Sequence, residues 1–119
     1  MIGKLETVVL DTRDPKALAG FYAELIGARI TTEEDDWVSI VDGEGRKLSF
    51  QTSPEHEAPS FPDPAGSQQF HVDVRVDDVD EAERKVLELG AVRVPDAHED
   101  NTFRVFRDPA GHPFCLVWD

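Results

Sequence analysis

The chain repeats itself, and that limits its folds more than any single motif does. Residues 6–28, "ETVVLDTRDPKALAGFYAELIGA", and 70–91, "FHVDVRVDDVDEAERKVLELGA", follow one plan. Each opens on a β-branched alternating run, turns through an aspartate-rich corner, carries a helical pattern and stops at Gly-Ala. In the first copy Asp14 suits the N-cap and Pro15 the first helical position, where a missing N–H costs nothing. Leu18, Phe21 and Leu25 then form one apolar stripe, and Gly27 supplies a left-handed stop. The second copy caps with Asp78, runs its stripe through Val79, Ala82, Val86 and Leu89, and stops at Gly90.

The parallel extends past the helices. "DGEGRKLSFQ" at 42–51 matches "DPAGHPFCLV" at 108–117, each an aspartate, a glycine three residues on, then a strand. Gly45 and Gly111 mark the tight turns. Two short apolar stretches precede each turn, "ARITTE" and "WVSIV" in the first copy, "AVRVP" and "FRVF" in the second. Each half therefore reads as βαβββ. The boundaries are 1–52 for the first unit, 53–68 for a proline-rich connector holding four of the eight prolines, and 69–119 for the second unit. A four-stranded sheet with one helix leaves an apolar face open, so the expectation is one α+β domain over 1–119.

Charge narrows the partners. The chain carries 25 acidic and 12 basic residues, a net charge of −13, which repels phosphate backbones and anionic lipid headgroups. Nucleic acid and membrane are therefore not expected as partners. Glu6, Asp11 and Asp14 interrupt the N-terminal apolar run before a secretory segment forms, and no stretch approaches the ~20 apolar residues of a membrane span. The single cysteine forms no internal disulfide, and the expected location is the cytoplasm.

Through "DPKALAGFYAELIGA", "FPDPAGSQQFHVDV", "LGA" and "FRDPAGHPFCL" the chain resembles the vicinal oxygen chelate superfamily over nearly its whole length. That superfamily includes glyoxalase I, bleomycin-resistance proteins and extradiol dioxygenases, and the resemblance is to its small glyoxalase-like domain proteins. It implies two βαβββ repeats forming a curled mixed eight-stranded sheet, with a helix packed on each half and a small molecule held in the concavity, often over a divalent metal. It also implies four ligand positions, which fall here on Thr7, Ser49, His71 and Cys115. His71 alone is a family ligand type, for the superfamily uses His or Gln on the first strands and Glu on the last. Neutral hydroxyls rarely hold a transition metal, and one His with one Cys is short of the three protein ligands of a catalytic zinc site. No metal and no other cofactor is therefore expected, with a divalent metal at a shifted site around His71 as the alternative.

Strand alternation assigns the concave face. Phe70, Val72, Val74 and Val76 are expected toward the helices, leaving His71, Asp73 and Arg75 opposite. Thr7, Val9 and Asp11 join Ser49 and Gln51 on the same face. The last strand sends Cys115 and Val117 to the cavity, and Phe114, Leu116 and Trp118 to the helix side. The ligand-binding set is thus Thr7, Ser49, Gln51, His71, Asp73 and Cys115, around a small, largely apolar molecule. His71 also reads as a structural histidine, because strand neighbours two apart lie ~7 Å from each other and seldom bond directly. Cys115 reads as an inert buried filler before a nucleophile, since no base adjoins it.

Beyond that face, His112, His56 and His98 are expected at the solvated surface, and "HEDN" at 98–101 as a weak hard-cation site at most. Phe61, in the connector, is a candidate lid over the cavity. Three functions follow: a metal-independent binding protein, a divalent-metal lyase, isomerase or dioxygenase using His71, and a homodimeric interaction module with a decayed cavity. A symmetric pair is the expected oligomer.

Overall fold

A computed structural model describes residues 1–66, 68, 70–95, 97 and 99–119. They form two compact units, Met1–His56 and Glu57–Asp119, so the first residues of the proline-rich connector belong to the first unit. The first unit is β1 (Val8–Thr12), α1 (Pro15–Ile26), β2 (Arg29–Glu33), β3 (Trp37–Val41) and β4 (Lys47–Thr52). The second is β5 (Val72–Arg75), α2 (Val79–Glu88), β6 (Val92–Arg93), β7 (Phe103–Arg107) and β8 (Pro113–Val117). All eight expected strands are present, and hydrogen bonding groups them as two four-stranded sheets ordered β1-β4-β3-β2 and β5-β8-β7-β6. In both, the first strand runs parallel to the last and the other pairs are antiparallel.

The punctuation read from the sequence acts where it was placed. The Asp14 carboxylate accepts from the Ala17 N–H at 3.1 Å, and Asp78 from the Glu81 N–H at 3.2 Å, caps worth about 1 kcal/mol each. Gly27 closes α1 in the left-handed region at φ 66°. The two aspartate turns are built alike. Asp42 accepts from the N–H groups of Glu44 and Arg46, and Asp108 from those of Ala110 and His112. Gly45 and Gly111 stand at φ 85° and 89°, where a side chain is strained. At Gly111 a Cβ would also run into Ala58, so that glycine lets the connector lie against the turn.

Each sheet packs its helix side with aromatic and aliphatic residues. Tyr22 stacks on Phe50 at 5.6 Å among Leu18, Val38 and Ile40 in the first unit. Phe106 stacks on Phe114 at 5.5 Å beside Val86 and Leu116 in the second. Two expected apolar contacts fail. Phe70, two residues before β5 begins, is 92 % exposed, because alternation has no hold on a residue outside the ladder. Leu89 caps α2 rather than extending it and stays 40 % exposed.

Candidate functional site

The opposite faces of the two sheets carry different chemistry at matched positions. In the first unit, register aligns Val9 with Ser49 and Ser49 with Ser39. Thr7 and Ser49 share a hydrogen bond of 2.9 Å, Ser49 and Ser39 one of 2.8 Å, and the Trp37 indole N–H donates to Ser39 at 3.1 Å. Ser39 and Ser49 are fully buried. Beside this chain Gln51 donates to the Asp11 carboxylate at 2.7 Å. Thr7, Ser49 and Gln51 are therefore partners of groups within their own unit.

In the second unit the equivalent register aligns Asp73 with Cys115 and Cys115 with Val105. Here the face is open. A cavity of about 500 Å³ is lined by Gln68, His71, Asp73, Arg75, Thr102, Phe103, Cys115, Val117 and Trp118. His71, Asp73, Arg75, Cys115 and Val117 share this face as alternation required. The sequence reading missed Gln68, Thr102, Phe103 and Trp118. Trp118 was assigned to the helix side, but β8 ends at Val117 and the indole instead joins the cavity wall, with the Arg104 guanidinium 5.6 Å from its ring.

His71 Nε2 lies 3.2 Å from Asp73 Oδ1, closer than strand spacing allows for residues two apart. The reason is that β5 starts at Val72, so the His71 side chain is free of the pleat and folds back over Asp73. Their ligand atoms and Cys115 Sγ all lie within 4.8 Å of one another. The Cys115 thiol sits 3.7 Å from the Gln68 side-chain amide oxygen Oε1, which accepts from it. Burial, then the Asp73 carboxylate, push its pKa up to about 12, so it is an inert neutral thiol at physiological pH.

Behind Cys115 lies an apolar cluster of Val94 and Val105, on which Phe61, Phe103 and Val117 pack. Arg107 fixes the Phe61 segment, lying 5.3 Å over its ring and donating to the carbonyls of Pro59, Phe61 and Gly111. Phe61 therefore packs on the same apolar cluster to which the cavity-lining Cys115 belongs.

The other polar expectations change. Glu99 is no free cation ligand. It bonds Arg93 and accepts from the Val105 N–H at 2.5 Å, while Asp100 closes a turn on Thr102. Burial raises the Glu99 pKa, but Arg93, the Val105 N–H and Arg104 outweigh it and hold the carboxyl below its ordinary range. His112 and His56 are partly buried rather than solvated, because the His112 backbone closes the Asp108 turn and the His56 carbonyl accepts from Arg13 at 2.8 Å. His98 lies outside the described residues.

The four ligand positions implied by resemblance do not fit one shared ion. Thr7 and Ser49 are neutral, and their hydroxyls already bond each other and Ser39, so charge and donor type are both wrong for a divalent metal.

No curated protein sequence matches the chain. Solved structures share its fold. A glyoxalase/bleomycin resistance protein/dioxygenase family enzyme from Burkholderia phytofirmans is 18 % identical with a TM-score of 0.75, over 98 % of each chain. A mutant fosfomycin resistance protein from Listeria monocytogenes, complexed with Mn(II) and a dihydroxypropylphosphonic acid, is 17 % identical with a TM-score of 0.74, over 98 % of this chain and 93 % of that one. The bleomycin-binding protein of Streptomyces verticillus, complexed with copper(II)-bleomycin, is 16 % identical with a TM-score of 0.61, over 100 % of this chain and 99 % of that one. Residues 7–117 match the model of the glyoxalase-like domain. The chain therefore belongs to the glyoxalase-like domain family.

Proposed function

We propose that this chain is a small-molecule-binding protein whose site is the cavity of the second unit. The observation that carries the reading is the composition of that wall. Phe103, Val117 and Trp118 offer an apolar bed, while Gln68, His71, Asp73, Arg75 and Thr102 offer directed polar groups. Apolar burial supplies affinity in such sites, and a few polar groups fix orientation. A volume of about 500 Å³ suits a compact organic molecule. Asp73 and Arg75 stand on β5 and His71 directly before it, so the ligand combines an apolar body with a hydrogen-bonding head rather than being apolar throughout.

The first unit contributes no comparable site in this reading, because its hydroxyls satisfy one another. A second reading, a metal-dependent lyase, isomerase or dioxygenase, draws support from the convergence of His71, Asp73 and Cys115. Homodimer formation is also proposed, on the exposed apolar residues Leu87, Leu89 and Val92, and a solution mass equal to the monomer would remove it.

A thermal-shift screen of small aromatic and aliphatic acids, amides and alcohols tests the site. Thr102→Trp fills the cavity from an exposed position, and Gln51→Trp adds the same bulk to the first unit. Compounds that stabilise the parent chain are expected to stabilise Gln51→Trp and not Thr102→Trp. Stabilisation that survives Thr102→Trp would place the ligand elsewhere.

A further inference from the structure

We propose that the cavity of the second unit selects organic acids, taking a single carboxylate head on Arg75 and an apolar body along Phe103 and Val117, and that the Asp119 side chain holds the head's place until the acid displaces it. This inference rests on the cavity being a binding site, and it names the class of molecule the site takes.

Sheet register lays the site out. On the cavity face Phe103 of β7, Val117 of β8 and Arg75 of β5 form one row across three strands, and Val105, Cys115 and Asp73 form the next. Adjacent strands stand about 4.8 Å apart, so the first row runs roughly 10 Å from the phenylalanine backbone to that of the arginine. Trp118 stands beside this row, its backbone N–H bonded to the Thr102 carbonyl at 3.1 Å. The row is therefore apolar at one end and cationic at the other. An aromatic or branched aliphatic body on a short link to an acid matches that order.

Charge selects the head. Arg75 is the only lysine or arginine among the described residues of the cavity wall. Its Nη1 donates to Asp119 Oδ1 at 2.8 Å, a single contact for a guanidinium whose N–H donors form a fork fitted to carboxylates. The two side chains are 63 % and 98 % exposed, and ion pairs so open to water are weak, so Asp119 is exchangeable. Its contact marks where a carboxylate seats on this arginine. Asp73, two residues back on β5, has the His71 imidazole nitrogen at 3.2 Å, so the negative group of the wall already has a partner within the wall. It also stands about 7 Å from Arg75 along the strand and repels a second negative charge, which favours a carboxylate over a phosphate or phosphonate dianion.

Isothermal titration of the full chain with phenylpropionate, indoleacetate and naphthylacetate, each beside its primary amide and the matching amine, tests this. The acids are expected to bind about 10-fold more tightly than their amides, and the amines most weakly. Arg75→Gln should remove that margin while leaving amide binding unchanged, and the retained amide binding reports that the variant's cavity is folded. Arg75→Lys, which keeps the charge and loses the fork, should recover part of the margin. Asp119→Asn frees the guanidinium and should tighten the acids by about 2–5-fold without moving the amides. Arg84→Gln on α2 and Asp35→Asn in the first unit make the same charge changes at exposed positions away from the cavity, and should alter neither series. Amides or amines that bind as tightly as the acids, or an acid margin that survives Arg75→Gln, would overturn the proposal, and acids unmoved by Asp119→Asn would overturn the displacement. In each of those cases, binding that Thr102→Trp abolishes leaves the cavity standing as a site for other molecules. Binding that survives Thr102→Trp, or none by any of the compounds, overturns the cavity and the proposal together.

Discussion

The two units share a topology and a register, yet their second sheet faces have opposite fates. Ser49 and Cys115 occupy the same place, each on the last strand between a parallel and an antiparallel neighbour. Ser49 stands between Val9 and Ser39, and its hydroxyl bonds those of Thr7 and Ser39, the latter also taking the Trp37 indole N–H, so hydrogen bonds close the face upon itself. Around Cys115 the neighbours are Asp73 and Val105, which do not satisfy each other, and the face stays open as a cavity. The difference teaches that a repeat fixes where side chains point, whereas a handful of side chains decide whether the place becomes structure or site.

The contrast can be broken most sharply at the two last strands. With its pKa held at about 12 against an ordinary 9.0, Cys115 carries about a thousandfold less thiolate below pH 9 than a free thiol. Alkylation of the native chain should therefore be slower than that of the denatured chain by a factor of that order, and equal rates would contradict the sheltered thiol. Ser49→Glu, which installs the residue type of metal-using relatives, buries a carboxylate at a fully buried position. A loss of several kcal/mol in denaturant stability, about 3 or more, is expected. Retained stability would mean that the first face is less closed than its hydrogen bonds indicate.

Smaller effects separate the second unit's scaffold from its cavity. Glu99→Ala leaves the Val105 N–H without its carboxylate acceptor and Arg93 with Glu83 as its remaining carboxylate partner, and should cost about 1–3 kcal/mol. Because the folded Glu99 pKa lies below the ordinary 4.5, its contribution is complete above that value and fades as pH falls through the lower, folded one. The parent should thus lose stability more steeply than Glu99→Ala under acid, and parallel acid profiles would remove Glu99 from the account. Least of all, Asp73→Asn and His71→Ala should shift metal-free stability by no more than about 0.5 kcal/mol, since both side chains are exposed. A large loss from either would make the pair structural.

The fold was legible because its signals are local. Asp14 and Asp78 cap within three residues, and Asp42 and Asp108 each organise a turn through N–H groups two and four residues on. The cavity was half legible. Alternation placed Asp73, Cys115 and Val117, whose strand ladders enforce it. It could not place Phe70 or Trp118, nor the direction in which His71 bends, because all three lie just outside β5 and β8, where the backbone leaves the pleat and neighbouring side chains decide direction. The His71–Asp73 contact was lost for that reason, and with it the convergence on Cys115. Phe61 was named as a lid from composition alone; its seat against the Cys115 cluster depends on Arg107, which no local pattern connects to it.

The central claim is that function resides in the second unit alone, and amide chemical-shift mapping tests it most directly. A compound that stabilises the chain should move resonances of β5, β8, Thr102, Phe103 and Trp118, and leave β1, β3 and β4 in place. Perturbations centred on Thr7, Ser39 and Ser49 would contradict the account.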